Sequence, residues 1–555
     1  MCSLGCAVCF GVVFVSPEDA GALLHAVAPA GCGSWEFLLT MTNDRSRRQF
    51  LALGGLSAAA AAVPNVHLSA KAQSTERAGA RPNVLWICTD QQRCDTITSL
   101  GNAHIRTPNI DRLAREGVAF THAYCQNPIC TPSRASFLTG CIPSRIHQHR
   151  NGNAEFPASL TPRLVTRRLA AAGYDGALCG KLHLSSPYER EEPRINDGYR
   201  IYDWSHQPKP ESGWPDRVHV YNRWLHEQGV TWEDLYRKRK IAGYPDQYNA
   251  GMPAAYHELA WEAERTIHYI EGGLKGPWFA SINIFAPHPP FDPAPEYLEK
   301  MKPESLPMPL YREGEEAEQA RFTAAVDHQT KTPVTPGSYQ AQHMKACYYA
   351  MIEHIDWYVG RVLEALERSG QRENTLVVFT SDHGEMMGDH CIRLKGCRFF
   401  EGAVRVPLIL SWPAGGLRNG TRNDALVQLT DIAPTLLEAA GIADPGDMDG
   451  KSLLGLARGT ADAKAHREFA WSEYHDSQTN TLQSHASMIR DRRHKLTLYH
   501  GTGLGELFDL ESDPHEFDNL FEKAEHARLR LRMTDQLVDS LAMHTDLGSP
   551  RVGRY

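Results

Sequence analysis

Residues Asn83–Gln92 read NVLWICTDQQ, an apolar run that stops abruptly at a threonine and an aspartate. Residues Thr375–Gly384 read TLVVFTSDHG and repeat the pattern. Apolar runs without alternation read as strands buried on both faces, as in a parallel sheet. Each run delivers an aspartate just past its carboxyl end, where ligand sites of open α/β sheets lie. Helical patterns at Asn109–Glu116 and Tyr348–Arg368 fall between them. This alternation predicts an α/β sandwich.

Further along, Asp431–Gly441 (DIAPTLLEAAG) reads as a helix closing the large domain, and the polar stretch Asp444–Gly450 as a join. Beyond it, Ala486–Tyr499 and Glu506–Leu510 read as short strands, Ser512–Leu520 as a turn, and Ala524–His544 as a final helix. The expected layout is a catalytic domain over 81–445 and a smaller domain over 446–555. The segment Pro187–Lys240 reads as an insertion over the site and carries Trp204, Trp214, Trp224 and Trp232, four of the eleven tryptophans. These either stack on sugar rings or pack the insertion against the domain.

Residues Cys130–Gly140 read CTPSRASFLTG. The pattern is a short helix with Ser133 near its start and Gly140 at its end. A helix N-terminus offers free N–H groups and partial positive charge, which suits a sulfate or phosphate ester. The ordinary alternative is a buried free cysteine ahead of a helix. The stretch closely resembles the first signature of the sulfatase family, C-x-P-S-R-x-x-x-L-T-G. That resemblance spans roughly residues 81–545, including the DP-x-E-x-x-N-L pattern at Asp513–Leu520. It implies an alkaline-phosphatase-like α/β sandwich with a large mixed central sheet between helices, plus a small C-terminal α+β subdomain with an antiparallel sheet. It also implies that a maturation enzyme, formylglycine-generating or anaerobic, oxidises Cys130 to Cα-formylglycine. The hydrated aldehyde is then the nucleophile.

The other motifs extend the resemblance. Asp90 and Gln91 follow the first run, and Asp382 and His383 the second. With the modified Cys130 they resemble the family's divalent metal site, usually calcium. Oxygen ligands suit calcium or magnesium, whereas an imidazole also suits manganese or zinc. The commonest family pattern has an aspartate where Gln91 stands and an asparagine where His383 stands. Both replacements occur in relatives resembling choline sulfatases and phosphonate monoester hydrolases. Gly173–His183 reads GYDGALCGKLH and resembles the second signature. There Lys181 would bind the sulfate, and His183 would act as a base on one hydroxyl of the nucleophile. Gly176 replaces the usual Ser or Thr, which is expected to be a packing matter. His288, within the P-H-x-P-F context at Pro287–Phe291, would bind the bridging oxygen and help protonate the leaving group. Lys395 would be the second cation at that oxygen, and Arg134 would bridge the nucleophile and the acidic ligands.

Composition bounds the rest. The chain has 555 residues, 42% hydrophobic and 22% charged, which is ordinary for a globular protein. A net charge of -8 gives no basic footprint for nucleic acid. The thirteen cysteines include one C-x-x-C, Cys6 to Cys9, with no second pair to complete a zinc site. No apolar run is long enough for a permanent membrane span. At the amino terminus, Ser46–Leu51 (SRRQFL) resembles a twin-arginine export motif, Leu51–Val63 is a modest apolar stretch, and Ala70-Lys71-Ala72 fits a cleavage site. Residues 41–72 therefore read as a signal peptide for export to the periplasm or beyond. Residues 1–40 read as translation from an upstream start assigned in error, with Met41 the true start.

The functional expectation is a sulfuric ester hydrolase, arylsulfatase-like or acting on polysaccharide, with a sulfated small molecule or glycan as substrate. A phosphonate monoester or phosphodiester hydrolase with the same machinery is the nearest alternative. A catalytically silent exported glycan-binding protein is the alternative of another class.

Overall fold

The computed structural model describes residues 81–187, 191–210, 214, 217–236, 239–327, 329–478 and 484–546. The readings of residues 1–40 and 41–72 lie outside them. The two apolar runs form strands β1 (Asn83–Thr89) and β6 (Thr375–Ser381), within a series completed by β2 (Val118–Tyr124), β3 (Asp175–Gly180), β4 (Ile201–Trp204), β5 (Trp278–Ile284), β7 (Leu408–Ser411) and β8 (Thr421–Gln428). They line up in the order β8-β2-β7-β6-β1-β5-β3-β4. β1 pairs in parallel with both β5 and β6. β7 runs antiparallel to β2 and β6, which makes the sheet mixed, as expected.

Both faces of the sheet are covered, and this is why the runs do not alternate. Val84, Trp86 and Cys88 pack with Phe137, Leu138 and Leu169 on one side. Leu85 and Ile87 pack with Ile110, Leu113, Ile355 and Val359 on the other. The first layer contains α2 (Cys130–Thr139), and the second contains α1 (Pro108–Arg115), α3 (Glu258–Glu271) and α4 (Ala341–Arg368). α4 starts at Ala341, earlier than the pattern suggests. Its first turns (AQHMKAC) mix polar and apolar residues, and Ala341, Met344 and Cys347 pack in a separate cluster with Leu298 and Leu306. Asp356 on α4 accepts the N–H groups of Asn109 and Ile110 at 3.0 and 2.8 Å, so one helix of this layer caps its neighbour.

The carboxyl-terminal sheet runs in chain order: β9 (Ala470–His475), β10 (His485–Arg490), β11 (His494–Tyr499) and β12 (Leu504–Asp509), all antiparallel. Helix α5 (Ala527–Met543) seats Met533 and Leu537 against Ile489, Leu496 and Leu507. Sequence reading omits β9 because it is buried on both faces yet carries the polar Ser472 and Glu473.

The insertion reading of Pro187–Lys240 needs correction. Within it β4 pairs in parallel with β3 and forms an edge of the main sheet. Trp204, Trp214 and Trp224 are buried, with Trp204 and Trp214 ring centroids 5.2 Å apart, so these three pack the segment. Gly176 is a packing matter as expected, because a Cβ there would lie 2.7 Å from the Gly198 carbonyl oxygen. Among the described residues no helix is long and apolar enough to cross a membrane.

Candidate active site

Adjacency of β1 and β6 brings their ends together. Thr89 pairs with Ser381, and Asp382 N–H donates to the Thr89 carbonyl at 3.2 Å. Asp90 and Asp382 are thereby neighbours, both fully buried. Cys130 is the first residue of α2, so the helix begins ahead of the Ser133 pattern. Pro132 lies in the first turn, where its missing N–H costs nothing. Thr131 N–H donates to Asn151 Oδ1 at 2.9 Å. At the other end Gly140 has φ 71°, and a Cβ there would lie 2.7 Å from Met448 Sδ.

Donor atoms of Asp90, Cys130, Asp382 and His383 all lie within 4.8 Å of one another, and all four residues are buried. Cys130 Sγ is 2.8 Å from Lys395 Nζ, 3.2 Å from His383 Nε2 and 3.6 Å from Asp90 Oδ1. Arg134 bridges the two acids, with Nε 2.9 Å from Asp382 Oδ2 and Nη2 3.3 Å from Asp90 Oδ2. Lys181 Nζ reaches Asp90 Oδ2 at 2.6 Å.

Burial opposes the charge on Asp90, but Lys181 and Lys395 outweigh it and hold the carboxyl well below its usual range. Burial and Asp90 raise the Cys130 thiol, yet Lys395, Lys181 and His383 bring it below its ordinary value. The centre therefore favours anions at the helix N-terminus.

The residues fit a divalent ion. His383 Nδ1 donates to the Gly384 carbonyl at 2.9 Å, which directs Nε2 toward the two carboxylates. Burial lowers the His383 pKa, but Asp382 and the Cys130 thiolate together more than restore it, so a cation is welcome at this nitrogen. Gln91 Oε1 is buried with no hydrogen-bond partner, while its Nε2 donates to Glu385. Gln91 also has φ 71°, a conformation unusual for a residue with a Cβ. Two carboxylates, an amide oxygen and an imidazole form a mainly oxygen donor set.

Lys181 Nζ sits 5.2 Å from the centre of the Phe285 ring, and that ring lies 4.7 Å from the His288 ring. His288 Nδ1 donates to the Pro289 carbonyl at 2.7 Å, which leaves Nε2 as its free atom. His183 packs against His206 at 4.4 Å between ring centroids. Burial, then Lys181 and His206, push His183 well below its usual range. Burial and Lys395 do the same to His288. The structure thus gathers Asp90, Cys130, Arg134, Lys181, Asp382, His383 and Lys395 in one contact network. His183 and His288 stand beside it, and Gln91 joins through its backbone N–H to Asp382 Oδ1 at 3.0 Å.

Four supporting residues escape sequence reasoning. Glu385 accepts from the Gln91 side chain and the N–H groups of Met387 and Leu394, so it ties the Asp382 turn to the Lys395 turn. Glu192 accepts from His183, Leu184 and Ser185 N–H and thereby holds His183 at φ 55°. Asn151 supports the Cys130 helix, and Tyr348 Oη donates to the Gln91 carbonyl at 2.6 Å. Only Glu385 carries a signal in the sequence, as the next acid after Asp382-His383-Gly384.

A cavity of about 370 Å³ opens beside His288, lined by Tyr221, Trp232, Tyr236, Glu258 and Phe285 among others. Its size and its mix of aromatic, apolar and charged walls suit a compact organic group.

A family model described as Sulfatase matches residues 82–442, and one described as N-sulphoglucosamine sulphohydrolase, C-terminal, matches residues 389–542. The chain is 30% identical over 458 residues to an arylsulfatase of Clostridium perfringens (strain 13 / Type A), covering 80% of this chain and 91% of that one. It is also 30% identical over 494 residues to the multifunctional alkaline phosphatase superfamily protein PehA of Trinickia caryophylli, covering 81% and 93%. Among solved structures it resembles the phosphonate monoester hydrolase SpPMH from Silicibacter pomeroyi, with a TM-score of 0.72, 25% identity, and coverage of 84% of this chain and 96% of that one.

Proposed function

This chain belongs to the sulfatase family and hydrolyses sulfate esters, and we propose that Cys130, once oxidised to Cα-formylglycine, is the residue at which it does so. The observation that carries the reading is the position of Cys130. It opens a buried helix, 2.8 Å from Lys395 Nζ and within reach of Asp90 and His383.

The hydrated aldehyde would supply the nucleophilic oxygen, and a divalent ion held by Asp90, Gln91, Asp382 and His383 would neutralise sulfate oxygens. Calcium is our proposal for that ion, on the mainly oxygen donor set, with manganese or magnesium as alternatives. Arg134 bridges Asp90 and Asp382, and Lys181, which pairs with Asp90, offers N–H donors to the sulfate. His183 is held neutral by burial and by Lys181, so after the alcohol has left a nitrogen would be free to take the proton of the nucleophile's second hydroxyl, which re-forms the aldehyde and releases sulfate. Lys395 stands where it can give a proton to the departing oxygen, and His288 binds that oxygen through Nε2. The bound ester's negative charge offsets the burial and the Lys395 repulsion that keep His288 neutral.

The leaving alcohol would occupy the cavity beside His288, where Trp232, Tyr236 and Phe285 offer ring faces to an aryl group or a sugar ring. The match to the N-sulphoglucosamine sulphohydrolase model supports a sulfated sugar among the substrates. Export by the twin-arginine route is part of the proposal, on the ordered SRRQFL motif, the Leu51–Val63 apolar stretch and the Ala70-Lys71-Ala72 cleavage site. Amino-terminal sequencing of the exported protein should begin at Gln73.

One observation favours a second reading. Gln91 and His383 stand where most sulfatases carry Asp and Asn, and the chain resembles a phosphonate monoester hydrolase. Parallel assays of aryl sulfate and phenylphosphonate monoester on matured enzyme decide between them. A higher kcat/KM for the sulfate is expected, and the reverse order would overturn the assignment.

A further inference from the structure

A second cluster of metal-type donors lies outside the Cys130 centre. His149, Glu473 and His475 each offer a donor atom within 4.8 Å of the other two. His149 follows α2 in the chain, and Glu473 and His475 belong to β9. Sulfate ester hydrolysis at Cys130 uses none of them.

Their hydrogen bonding is incomplete at buried polar atoms. Glu473 is 1% exposed, and its Oε1 accepts from Ser144 N–H at 2.6 Å. Its Oε2 has no hydrogen-bond partner and faces His475 Nε2 at 3.6 Å. His149 Nδ1 is also buried without a hydrogen-bond partner. The other nitrogen of His475, Nδ1, lies 3.2 Å from His485 Nδ1, and His485 Nε2 lies 3.5 Å from Asp476 Oδ2. With the His485 proton placed on Nε2, facing Asp476, His485 Nδ1 would accept from His475 Nδ1–H. His475 Nε2 then presents a bare lone pair to the Glu473 carboxylate. Two electron-rich atoms so placed call for a cation between them. Zinc ligands at about 2.0–2.2 Å in tetrahedral array stand about 3.4 Å apart, close to this spacing. The Asp476–His485–His475 relay is the outer support that ligating histidines usually have. The nearby Arg150 guanidinium is engaged elsewhere, 3.7 Å from Asp476 Oδ2.

We propose that His149, Glu473 and His475 form a second divalent-metal site, of the zinc class, that clamps the segment behind the Cys130 helix to the first strand of the carboxyl-terminal sheet. Two imidazoles and one carboxylate suit zinc or cobalt better than calcium, which separates this site from the oxygen-rich one at Asp90. The clamp has a structural target. Two residues beyond His149, Asn151 donates its N–H to the Ser477 carbonyl at 2.8 Å and accepts from Thr131 N–H in the first turn of α2.

The test uses full-length, chelator-stripped protein titrated with Co²⁺ and followed by visible absorption. In an Asp90→Ala/Asp382→Ala background, one equivalent should bind with a tetrahedral cobalt spectrum and be displaced by Zn²⁺. His149→Gln/His475→Gln in the same background should lose the band. Glu473→Gln keeps the shape and the Ser144 hydrogen bond, so it should fold normally and bind at least about 10-fold more weakly. Zn²⁺ should raise the melting temperature of the parent background, raise it less in Glu473→Gln at the same concentration, and leave the histidine variant unmoved. Absence of a Co²⁺ band in the parent background, or an undiminished affinity in Glu473→Gln, would overturn the proposal. Should the histidine pair fail to fold, the Co²⁺ affinity of Glu473→Gln alone decides the question.

Discussion

Lys395 Nζ lies 2.8 Å from Cys130 Sγ, with both residues buried. The ammonium is therefore fixed beside the reacting position by geometry, in an environment where a single charge counts for much. In the unmodified protein the Cys130 thiolate and Asp90 raise the Lys395 pKa despite burial, and once Cys130 is oxidised Asp90 and Asp382 still favour the ammonium.

Lys395→Met should accordingly reduce kcat/KM by about 100- to 1,000-fold, the usual scale for losing one donor to developing charge. The loss should be greatest for alkyl or sugar sulfates, whose leaving oxygens need a proton, and smallest for nitrophenyl sulfate. Equal losses across the leaving-group series would remove Lys395 from the departure step.

Asp382→Ala and Asp90→Ala should each lower bound divalent metal and turnover together, by more than about 100-fold, because the ion loses a charged ligand. Elemental analysis alongside kinetics checks this. Gln91→Asp adds a carboxylate and should shift metal preference toward calcium. An unchanged metal profile would place Gln91 outside the ligand set despite its unpartnered Oε1.

His183 and His288 should separate by kinetic step. His183→Ala should give a burst of released alcohol followed by slow turnover, since only the later step needs its base. His288→Ala should slow the burst itself. Because burial and Lys181 depress His183, its base form persists in mild acid, and the acid limb of kcat should fall well below pH 6.5. A limb at or above that value would contradict the assignment.

Asp356→Ala should cost about 2–3 kcal/mol of unfolding free energy, from the lost cap on α1, with turnover intact. Burial pushes Asp356 from 3.8 up to about 7. The folded state then holds a proton that the unfolded state releases above 3.8, so this contribution falls as pH rises toward 7. Asp356→Asn should remove that slope in denaturant titrations at several pH values.

Legibility in the sequence follows the physics of each element. β1 and β6 are readable because burial on both faces leaves an unbroken apolar run ending in Asp90 or Asp382. Cys130, Lys181, His183, His288 and Lys395 are readable because their neighbours form motifs. β9 is not, because the buried polar residues Ser472 and Glu473 break its apolar run. Nor is β4, because a strand of four residues at a sheet edge carries too little pattern. Glu192 and Asn151 serve backbone N–H groups of an upstream loop and of the first turn of α2, a role that leaves no periodicity. The sequence pattern puts Cys130 just ahead of its helix, whereas Pro132 lets the helix begin at the cysteine.

The most direct test of the account is mass mapping of the peptide carrying Cys130 from enzyme co-expressed with a maturation enzyme, measured beside sulfate ester turnover on the same preparation. The account predicts an aldehyde at position 130, reactive toward hydrazine probes, in a fraction that tracks activity across preparations. Full activity in a preparation whose Cys130 is an intact thiol would contradict it.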